Sequence, residues 1–468
     1  MEIQNGIKHL HTGKATDEFE ICSEQLKASG DILLPSITTT FNSILSFGSF
    51  PEILKSGILT PILKKLKDPS ILDNYRGITV TPVFTKLFEC VLLPKIEKHF
   101  DNKQSPLQFG FTKGVSMILA ALIVSEAKCE SKLTPLIPLC LITVDSMKAF
   151  DVVSHVIVLD KLYEIGVHPK IWTIVRDLYD GMTSKVRWAG AISPKFNILQ
   201  GVRQGGILSP LLYKIYNNNL LMELQETRLG FRMGNVYLGC PTCADDIALL
   251  SSNPNELQCM LSTLHRHAVQ DRVSIHPKKT KAVVFSKSNS IKSTLSWKLG
   301  DSDISPSNQT VHLGILRSEL KENNLNLEDR ISLARRTMYA LISTGLHGSN
   351  GINPIVAYKI YQSYILPKLL FGLEVLPLNK SQIDILRKFH ISNLRRFQSL
   401  PTRTATEIVY LLLGALPVEA ELHKRHLSLL YNIISCNNST LKNLMMRQLA
   451  VNGENQESFF FWSNTGYS

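Results

Sequence analysis

Apolar and polar positions follow two different patterns along the chain. In the middle of the sequence, short apolar runs of strand length alternate with segments of helical spacing. One such run occupies residues 139 to 144, between Pro138 and Asp145, and predicts a buried strand. Apolar residues also flank the adjacent pair Asp245 and Asp246, which predicts a β-hairpin with the two acids near its tip. From about residue 325 the apolar positions recur at helical spacing, which predicts a mostly helical C-terminal third.

Three further segments complete the pattern in the middle of the chain. Ser209 followed by Pro210 is typical of a capped helix start with proline at the first helical position. Residues 257 to 264 have helical spacing, and residues 282 to 285 return to the pattern of a strand. This alternation of strands and helices predicts an α+β or α/β sheet layer.

Composition and charge restrict the class of protein. The 468 residues are 44% hydrophobic and 19% charged, which excludes wholesale disorder and predicts several packed domains. Lys and Arg outnumber Asp and Glu by 51 to 39, a net charge of +12. Between residues 265 and 298 one acid, Asp271, faces eight basic residues: Arg266, Arg272, Lys278, Lys279, Lys281, Lys287, Lys292 and Lys298. This basic segment suits a polyanionic partner, and a solvated charged face is the alternative interpretation.

The sequence contains no targeting or membrane signal. No apolar segment of a signal peptide follows Met1, and no window of about eighteen residues is both apolar and free of charge. A soluble intracellular protein without a membrane partner is therefore expected, in the nucleus or the cytoplasm. The 8 cysteines are scattered, which fits free thiols in a reducing compartment. Cys240 and Cys243 form a Cys-x-x-Cys, but no further zinc ligands or redox setting accompany it, so we interpret the pair as incidental.

Asp145 and the pair Asp245 and Asp246 are the candidate chemical groups. Adjacent carboxylates in an apolar setting repel each other, and a divalent cation removes that repulsion. Magnesium prefers oxygen ligands, and two such ions about 3.5–4 Å apart clamp the attacking and leaving oxygens of a phosphoryl transfer. An isolated Asp-Asp is more often a turn or a solvated loop, so the pair gains meaning only from its context.

Three segments in a fixed order supply that context. They are Asp145-Ser-Met-Lys-Ala-Phe150-Asp151, Gln200-Gly-Val-Arg-Gln204-Gly205-Gly-Ile-Leu-Ser-Pro210 and Cys243-Ala-Asp245-Asp246. Their succession resembles motifs A, B and C of the reverse transcriptases, and it is most similar to the non-LTR (LINE-type) retrotransposon branch. Residues 275 to 281 are similar to motif D, and the whole resemblance covers roughly residues 10 to 430.

The resemblance implies an α+β right-hand polymerase. The implied domains are fingers over residues 1–135, a palm with an antiparallel sheet over 136–322, a helical thumb over 323–380, and a C-terminal helical segment with a poorly ordered tail over 381–468. The implied activity is that of an RNA-directed DNA polymerase, a nucleotidyltransferase. It would extend a DNA or RNA primer on an RNA template with deoxynucleotide triphosphates by two-metal phosphoryl transfer.

The resemblance also implies roles for individual residues. Asp145, Asp245 and Asp246 are the implied catalytic ligands of two Mg²⁺ ions, with Mn²⁺ as the alternative ion. The implied contacts to the incoming nucleotide are Lys64, Arg76, Phe150, Gln204, Gly205 and Lys279. Among these, Phe150 stands where a bulky ring excludes a 2′-hydroxyl group. Lys279 stands where a cation protonates or holds the leaving pyrophosphate, and a solvated lysine in a basic segment is its alternative reading.

Two departures from the family pattern leave a second function open. Cys243 stands where the family usually has Tyr or Phe, and His276 replaces the Asn of motif D. The alternative to an active enzyme is therefore a catalytically inert, truncated remnant that only binds nucleic acid. A viral RNA polymerase is a further alternative, although those usually carry Gly-Asp-Asp where this chain has Ala244 before the pair.

The length of the chain on either side of the motifs suggests a polymerase region alone. About sixty residues precede Pro61, and they already resemble the opening of the polymerase region, so we expect no N-terminal endonuclease. Fewer than about forty residues follow Leu430, too few for a ribonuclease H or a second nuclease. The expected protein is a polymerase fragment of a larger element, or a decayed copy.

Overall fold

The computed structural model describes residues 1–64, 67–134, 136–286, 294–348 and 351–465. Lys287 and Lys292 of the basic segment lie outside these described residues. The chain forms two compact units, each built from three segments. Unit 1 comprises Met1–Phe111, Ser146–Glu223 and Leu264–Ile275, and unit 2 comprises Thr112–Asp145, Leu224–Thr263 and His276–Ser468.

Helices and strands alternate up to about residue 320, and helices follow. The helices are α1 (Glu2–His9), α2 (Ser23–Ala28), α3 (Leu34–Phe47), α4 (Val83–Phe100), α5 (Met117–Ser131), α6 (His155–Glu164), α7 (Pro169–Tyr179), α8 (Ser209–Glu226), α9 (Pro254–Gln270), α10 (Glu322–Ile342), α11 (Pro354–Ile360), α12 (Leu366–Leu370), α13 (Lys380–Phe397), α14 (Thr406–Leu413), α15 (Val418–Ser435), α16 (Ser439–Asn452) and α17 (Phe459–Thr465). The strands are β1 (Ile58–Leu63), β2 (Tyr75–Val80), β3 (Leu139–Val144), β4 (Thr183–Trp188), β5 (Ala191–Ile192), β6 (Phe196–Asn197), β7 (Arg232–Met233), β8 (Val236–Tyr237), β9 (Thr242–Cys243), β10 (Asp246–Ser251), β11 (Lys281–Phe285), β12 (Trp297–Leu299), β13 (Ser302–Ile304), β14 (Gln309–His312) and β15 (Ile315–Ser318).

Unit 1 contains a mixed sheet in the order β2-β1-β4-β5, with β6 also paired to β4. β1 and β2 form an antiparallel hairpin, while β1 and β4 run parallel. The core beside it is aromatic: the rings of Phe41 and Phe50 lie 4.9 and 5.2 Å from that of Phe88, which is fully buried on α4. Large rings at such distances combine extensive apolar burial with favourable edge contacts, so they fix α4 in this unit.

Unit 2 contains an antiparallel sheet in the order β11-β3-β10-β9. All six residues of β3 are buried, because β3 lies between β11 and β10 and packs against α5. The strand predicted over residues 139 to 144 is therefore confirmed. The hairpin predicted around Asp245 and Asp246 is confirmed as β9 and β10, and the strand at 282 to 285 as β11.

The predicted helices are also present. α8 begins at Ser209, and α9 covers residues 257 to 264. After residue 322 the structure contains helices α10 to α17 and no strand among the described residues, which confirms the predicted helical C-terminal third. Within that described part of the chain, no helix combines the length and apolar character needed to cross a bilayer.

Glu126 connects α5 to the last two helices of unit 2. Its carboxylate is buried and accepts hydrogen bonds from the Gln448 side chain at 2.5 Å, the Ser458 hydroxyl at 2.9 Å and the Phe459 amide at 2.8 Å. Burial raises the pKa of Glu126 in spite of these donors. A buried carboxyl group with three hydrogen-bond donors favours one arrangement of the surrounding helices. Any other arrangement would leave the carboxyl group or its donors buried without partners.

Three buried histidines in unit 2 are held neutral. Burial lowers the pKa of His312 and His426 to about 3, and that of His390 to about 4. The His390 ring lies 2.9 Å from the Tyr361 hydroxyl through Nδ1 and 3.1 Å from the Leu416 carbonyl through Nε2. The carbonyl can only accept, so Nε2 donates and Nδ1 accepts. A proton added to Nδ1 would break this arrangement.

We expect acid to destabilise the fold through these histidines. Their folded pKa is lower than the unfolded one, so their contribution is complete above about pH 6.5 and is lost as the pH falls towards 4. At pH 5 the loss is about 2 kcal/mol per histidine. His390→Gln should reduce the difference in free energy of unfolding between pH 7 and pH 5 by about that amount, measured by urea denaturation. His11→Gln, at an exposed position, is the matched control. An unchanged difference in His390→Gln would contradict the assignment.

Candidate active site

The three acids lie at one end of the unit 2 sheet. β3 ends at Val144, which pairs with Ile247 of β10, so Asp145 and Asp246 are the next residues on the two neighbouring strands. Asp245 belongs to the turn between β9 and β10, where Ala244 has a φ of 59°. A positive φ at the first turn residue is typical of the tight turns that connect twisted antiparallel strands. The turn thus presents the adjacent acids beside Asp145.

The electrostatics of this cluster reflect three negative charges in one place. Burial and the charges of Asp245 and Asp145 raise the pKa of Asp246 to about 6. Burial, together with the charges of Asp246 and Asp245, likewise raises the pKa of Cys243 to about 11. In both groups burial is the larger cause, and the neighbouring carboxylates add to it.

A lysine of unit 2 approaches the cluster. The ammonium group of Lys279 lies 3.1 Å from Oδ2 of Asp145, and both side chains are partly exposed. The His276 amide donates to the Asp145 carbonyl at 2.8 Å, which joins the motif D segment to the end of β3. An exposed ion pair contributes at most about 1 kcal/mol. Lys279 is therefore readily displaced from Asp145 by a stronger cation.

The donor set fits a divalent metal ion of the magnesium type. All three candidate ligands supply carboxylate oxygens, which Mg²⁺ prefers, and an added cation would relieve the repulsion that contributes to the raised pKa of Asp246. Within the described residues, no group of three or more His, Cys, Asp or Glu side chains is already arranged to hold a metal ion. A metal ion bound by Asp145 would compete with the ammonium group of Lys279 for this carboxylate.

Cys240 and Cys243 differ in their surroundings. Cys240 is buried, and burial raises its pKa to about 12, whereas Cys243 is half-buried beside the acids. All eight cysteines are free thiols in the structure.

In unit 1, Lys64 and Arg76 belong to the hairpin formed by β1 and β2. Arg76 pairs with Ile62 across the two strands and is exposed. The ammonium group of Lys64 donates to the Asp73 carbonyl at 2.9 Å, and its amide donates to the Asn74 carbonyl at 2.8 Å. These contacts hold Lys64 against the short turn that leads into β2.

Phe150 is packed between two other rings of unit 1. Its ring stacks on Tyr213 at a centroid distance of 4.7 Å and an interplanar angle of 14°. Phe111 approaches it edge-on at 5.8 Å. Phe150 remains only half-buried. A half-exposed ring that is held on two sides presents a fixed, bulky surface to any bound molecule.

Gln204 and Gly205 belong to a loop that packs directly on β2. The Gln204 carbonyl accepts from the Thr79 amide at 2.8 Å, and its side chain donates to Oδ1 of Asp151 at 3.1 Å. Gly205 has a φ of 132°, and a Cβ atom there would lie 2.4 Å from the Thr79 carbonyl oxygen. Only glycine fits this position, because both the backbone angle and the space exclude a side chain.

The predicted site residues therefore fall into two groups. Asp145, Asp245, Asp246 and Lys279 lie together in unit 2, and the remaining five, Lys64, Arg76, Phe150, Gln204 and Gly205, belong to unit 1.

Two partners of these residues were not singled out by the sequence. Asp151, the last residue of the first motif, holds the Gln204 side chain, and burial raises its pKa. Asp73 pairs with Lys148 at 3.0 Å as well as receiving Lys64 at its carbonyl. Asp151 is the second aspartate of the first motif, and that position is the sequence signal that could have identified it as a site residue. Nothing in the local sequence marks Asp73.

Comparison with known proteins now identifies the family. Residues 62–316 match the family model described as reverse transcriptase (RNA-dependent DNA polymerase), which covers more than half of the chain. The chain belongs to this family of nucleotidyltransferases, and the expected α+β right-hand polymerase fold is confirmed by this membership.

Individual relatives indicate the branch of the reverse transcriptase family. The chain is 25% identical over 422 residues to the RNA-directed DNA polymerase from mobile element jockey of Drosophila funebris, covering 86% of this chain and 44% of the relative. It is 29% identical over 231 residues to the probable RNA-directed DNA polymerase from transposon X-element of Drosophila melanogaster, covering 47% of this chain and 24% of the relative. The resemblance to LINE-type reverse transcriptases is thereby confirmed, and the chain spans less than half the length of these relatives.

A solved structure of apo telomerase from Candida tropicalis, truncated of its C-terminal domain, is also similar. The alignment covers 60% of this chain and 58% of the telomerase chain at 14% sequence identity, with a TM-score of 0.39.

Proposed function

We propose that this chain is an RNA-directed DNA polymerase of a retrotransposon, which extends a nucleic-acid primer on an RNA template. The observation that carries the proposal is the cluster of Asp145, Asp245 and Asp246 at one end of the unit 2 sheet, in a chain of the reverse transcriptase family. The proposed substrates are deoxynucleotide triphosphates, and the proposed partners are an RNA template and a DNA or RNA primer.

The proposed chemistry is two-metal phosphoryl transfer. Two Mg²⁺ ions, or Mn²⁺ in their place, would activate the primer hydroxyl and neutralise charge on the leaving phosphates. Asp145 and Asp245 are the proposed principal ligands, and Asp246 completes the set. The acids must be ionised to serve as ligands, so the raised pKa of Asp246 favours metal binding at neutral rather than acidic pH.

The remaining residues are proposed to bind and orient the nucleotide. Lys64 and Arg76 would contact the triphosphate, where negative charge accumulates during transfer. Gln204 would contact the nucleotide from a loop fixed by Thr79 and Asp151. Gly205 keeps that loop close to β2. The roles of Gln204 and Gly205 are supported by their position in the second motif and by the packing of their loop on β2.

The domain assignment remains part of this proposal. Residues 1–135 are the proposed fingers, 136–322 the palm, 323–380 the thumb, and 381–468 a C-terminal helical segment. Helix α10 begins at the last residue of the proposed palm and continues into the proposed thumb, α11 and α12 fall within the thumb, and α13 begins at its end.

Primer extension tests the proposed activity. Purified protein is incubated with a poly(rA) template, an oligo(dT) primer, Mg²⁺ and dTTP, and the lengthened primer is resolved on a gel. Extension supports the polymerase. If no extension occurs under conditions where a reference reverse transcriptase extends the same primer, the proposed activity is contradicted and a second candidate function remains.

That second candidate is an inert remnant that binds nucleic acid without extending it. Cys243 favours it, because the thiol is half-buried beside the acids where the family usually places an aromatic ring. Cys243→Tyr separates the two candidates further. If the missing ring alone prevents extension, the variant should extend the primer and the parent protein should not.

Lys279→Ala tests the proposed role of this lysine at the leaving phosphates. Loss of a group that protonates or holds pyrophosphate should slow single-nucleotide addition on the order of 10²-fold. Lys278→Ala is the matched control, because the neighbouring lysine is equally exposed and has the same charge. Rapid-quench measurement of one dTTP addition gives both rates. Equal rates for the two variants would show that Lys279 is only a solvated residue of the basic segment.

A further inference from the structure

A groove in unit 1 carries positive charge that the proposed polymerase chemistry does not use. Its cavity of about 430 Å³ lies among α3, the C-terminal half of α4 and the start of α7. The lining residues are Asn42, Leu45, Ser46, Lys95, Lys98, His99, His168, Lys170 and Ile171. Five of them are basic or histidine, and none is acidic. We call this feature the α3–α4–α7 groove.

The charge on α4 is concentrated on one helical face. Lys95, Lys98 and His99 are spaced so that they project from the same side of the helix. Lys95 is balanced by Glu2, whose Oε1 lies 2.6 Å from its ammonium group. Lys98 and Lys170 are exposed and form no ion pair with any residue that the structure describes. No carboxylate within the described ranges therefore offsets the charge of these two lysines.

His99 also lines the groove. Its Nε2 is buried, and it has no hydrogen-bond partner among the residues described. Burial, and then the charges of Lys98, Lys103 and His168, lower the pKa of His99. The groove is therefore a region of positive potential, and an anionic group bound there would offset the mutual repulsion of these charges.

The start of α7 adds to the same potential. The helix begins at Pro169 after His168, whose ring accepts the Lys170 amide at 3.3 Å. The N-terminus of a helix carries a partial positive charge and favours phosphate groups. Leu45 and Ile171 supply apolar surface between the polar residues, which suits the sugars that separate successive phosphates.

We propose that the α3–α4–α7 groove binds the phosphate backbone of a nucleic acid, as a contact additional to the proposed polymerase residues. The inference rests on the proposed function to the extent that the chain handles RNA and DNA. Nucleic acid fits better than an acidic protein segment because its regularly spaced phosphates match a row of cations beside a helix N-terminus. None of the lining residues is among the proposed ligands of metal or nucleotide.

Salt-dependent binding tests the groove directly. The probe is a fluorescein-labelled single-stranded RNA of about 20 nucleotides, and anisotropy is measured without Mg²⁺ or nucleotides over a range of salt concentrations. Lys98→Gln combined with Lys170→Gln should weaken binding about tenfold at about 0.1 M salt. The slope of log K against log salt should fall by about 1.4, since each lost phosphate contact removes about 0.7 on single strands.

A matched double variant controls for net charge. Lys8→Gln combined with Lys424→Gln removes the same charge from exposed positions on α1 and α15, and it should leave the slope unchanged. Equal slopes for the two double variants would overturn the proposal. A competition with polyglutamate at equal charge concentration provides a second test. If polyglutamate fully displaces the RNA from the parent protein but not from the Lys98/Lys170 variant, the groove binds an acidic protein segment and the proposal is overturned.

The same experiment separates this inference from the proposed activity. Because binding is measured without metal or nucleotide, a chain that fails to extend a primer can still show the difference in slope, and the groove then stands while the polymerase proposal fails. Conversely, a chain that extends the primer but shows equal slopes retains its activity and loses the groove. Thermal unfolding of both double variants should match the parent, since all four lysines are exposed.

Discussion

Asp245→Asn should reduce primer extension by at least about 10³-fold while leaving the affinity for template and primer nearly unchanged. The substitution keeps the size of the side chain in the turn between β9 and β10 but removes one of three clustered negative charges. A neutral amide binds Mg²⁺ more weakly than a carboxylate, and a loss of about 4 kcal/mol in transition-state stabilisation corresponds to that factor. The rate of dTTP addition to a primed poly(rA) template measures it.

The design includes a control for the loss of an acid as such. Asp303→Asn changes an exposed aspartate on β13 of the same unit and should leave the rate unchanged. In Asp245→Asn, removal of a repelling charge should also lower the pKa of Asp246, which a pH titration of metal binding detects. Extension by Asp245→Asn at more than about a tenth of the parental rate would show that the metal site is misassigned.

The elements that carry the acids could be predicted from local sequence. The length of the apolar run and its bounds at Pro138 and Asp145 favour a buried strand over a helix, although the run itself has no periodicity that separates the two, and β3 is that strand. The turn at Asp245 is also a local feature, because apolar strands flank it on both sides. What the local pattern lacks is the register that brings Asp145 beside the pair, and the succession of motifs supplied that relation.

Contacts between distant segments could not be predicted in this way. The loop of Gln204 and Gly205 packs on β2 through Thr79, and no periodicity in either segment signals the other. A Cβ atom at Gly205 would lie 2.4 Å from the Thr79 carbonyl oxygen, and nothing in the sequence around either residue predicts that proximity. The pairing of Lys279 with Asp145 is similar, since either residue alone reads as an ordinary exposed charge.

The segments that form each compact unit could not be predicted from the sequence either. Each unit combines three separate segments, and α8 and α9 continue from one set of segments to the other. Long-range packing rather than a linker defines these units, so no shift in composition along the chain marks their limits. The buried histidines illustrate the same point. His312, His390 and His426 are neutral because of packing that only the folded chain creates.

Phe150→Ala should allow the enzyme to accept ribonucleotides. In the proposed site the ring excludes a 2′-hydroxyl group, and its position is fixed by stacking on Tyr213 at 4.7 Å and by the edge of Phe111 at 5.8 Å. Because these neighbours prevent the ring from moving aside, discrimination depends on its bulk. Truncation to a methyl group should reduce the preference for dTTP over UTP on the order of 10²-fold, mainly by raising kcat/KM for UTP.

The conservative variant distinguishes exclusion by the ring from a general disturbance of the site. Phe150→Tyr keeps the ring and its stacking on Tyr213, so it should retain the parental preference for dTTP. Phe150 is half-buried, and its loss should cost less stability than removal of a core phenylalanine. If kcat/KM for dTTP and UTP fall together in Phe150→Ala, the ring supports the site without selecting the sugar. If kcat/KM rises for UTP alone in Phe150→Ala and does not rise in Phe150→Tyr, the ring itself must contact the 2′ position of the nucleotide.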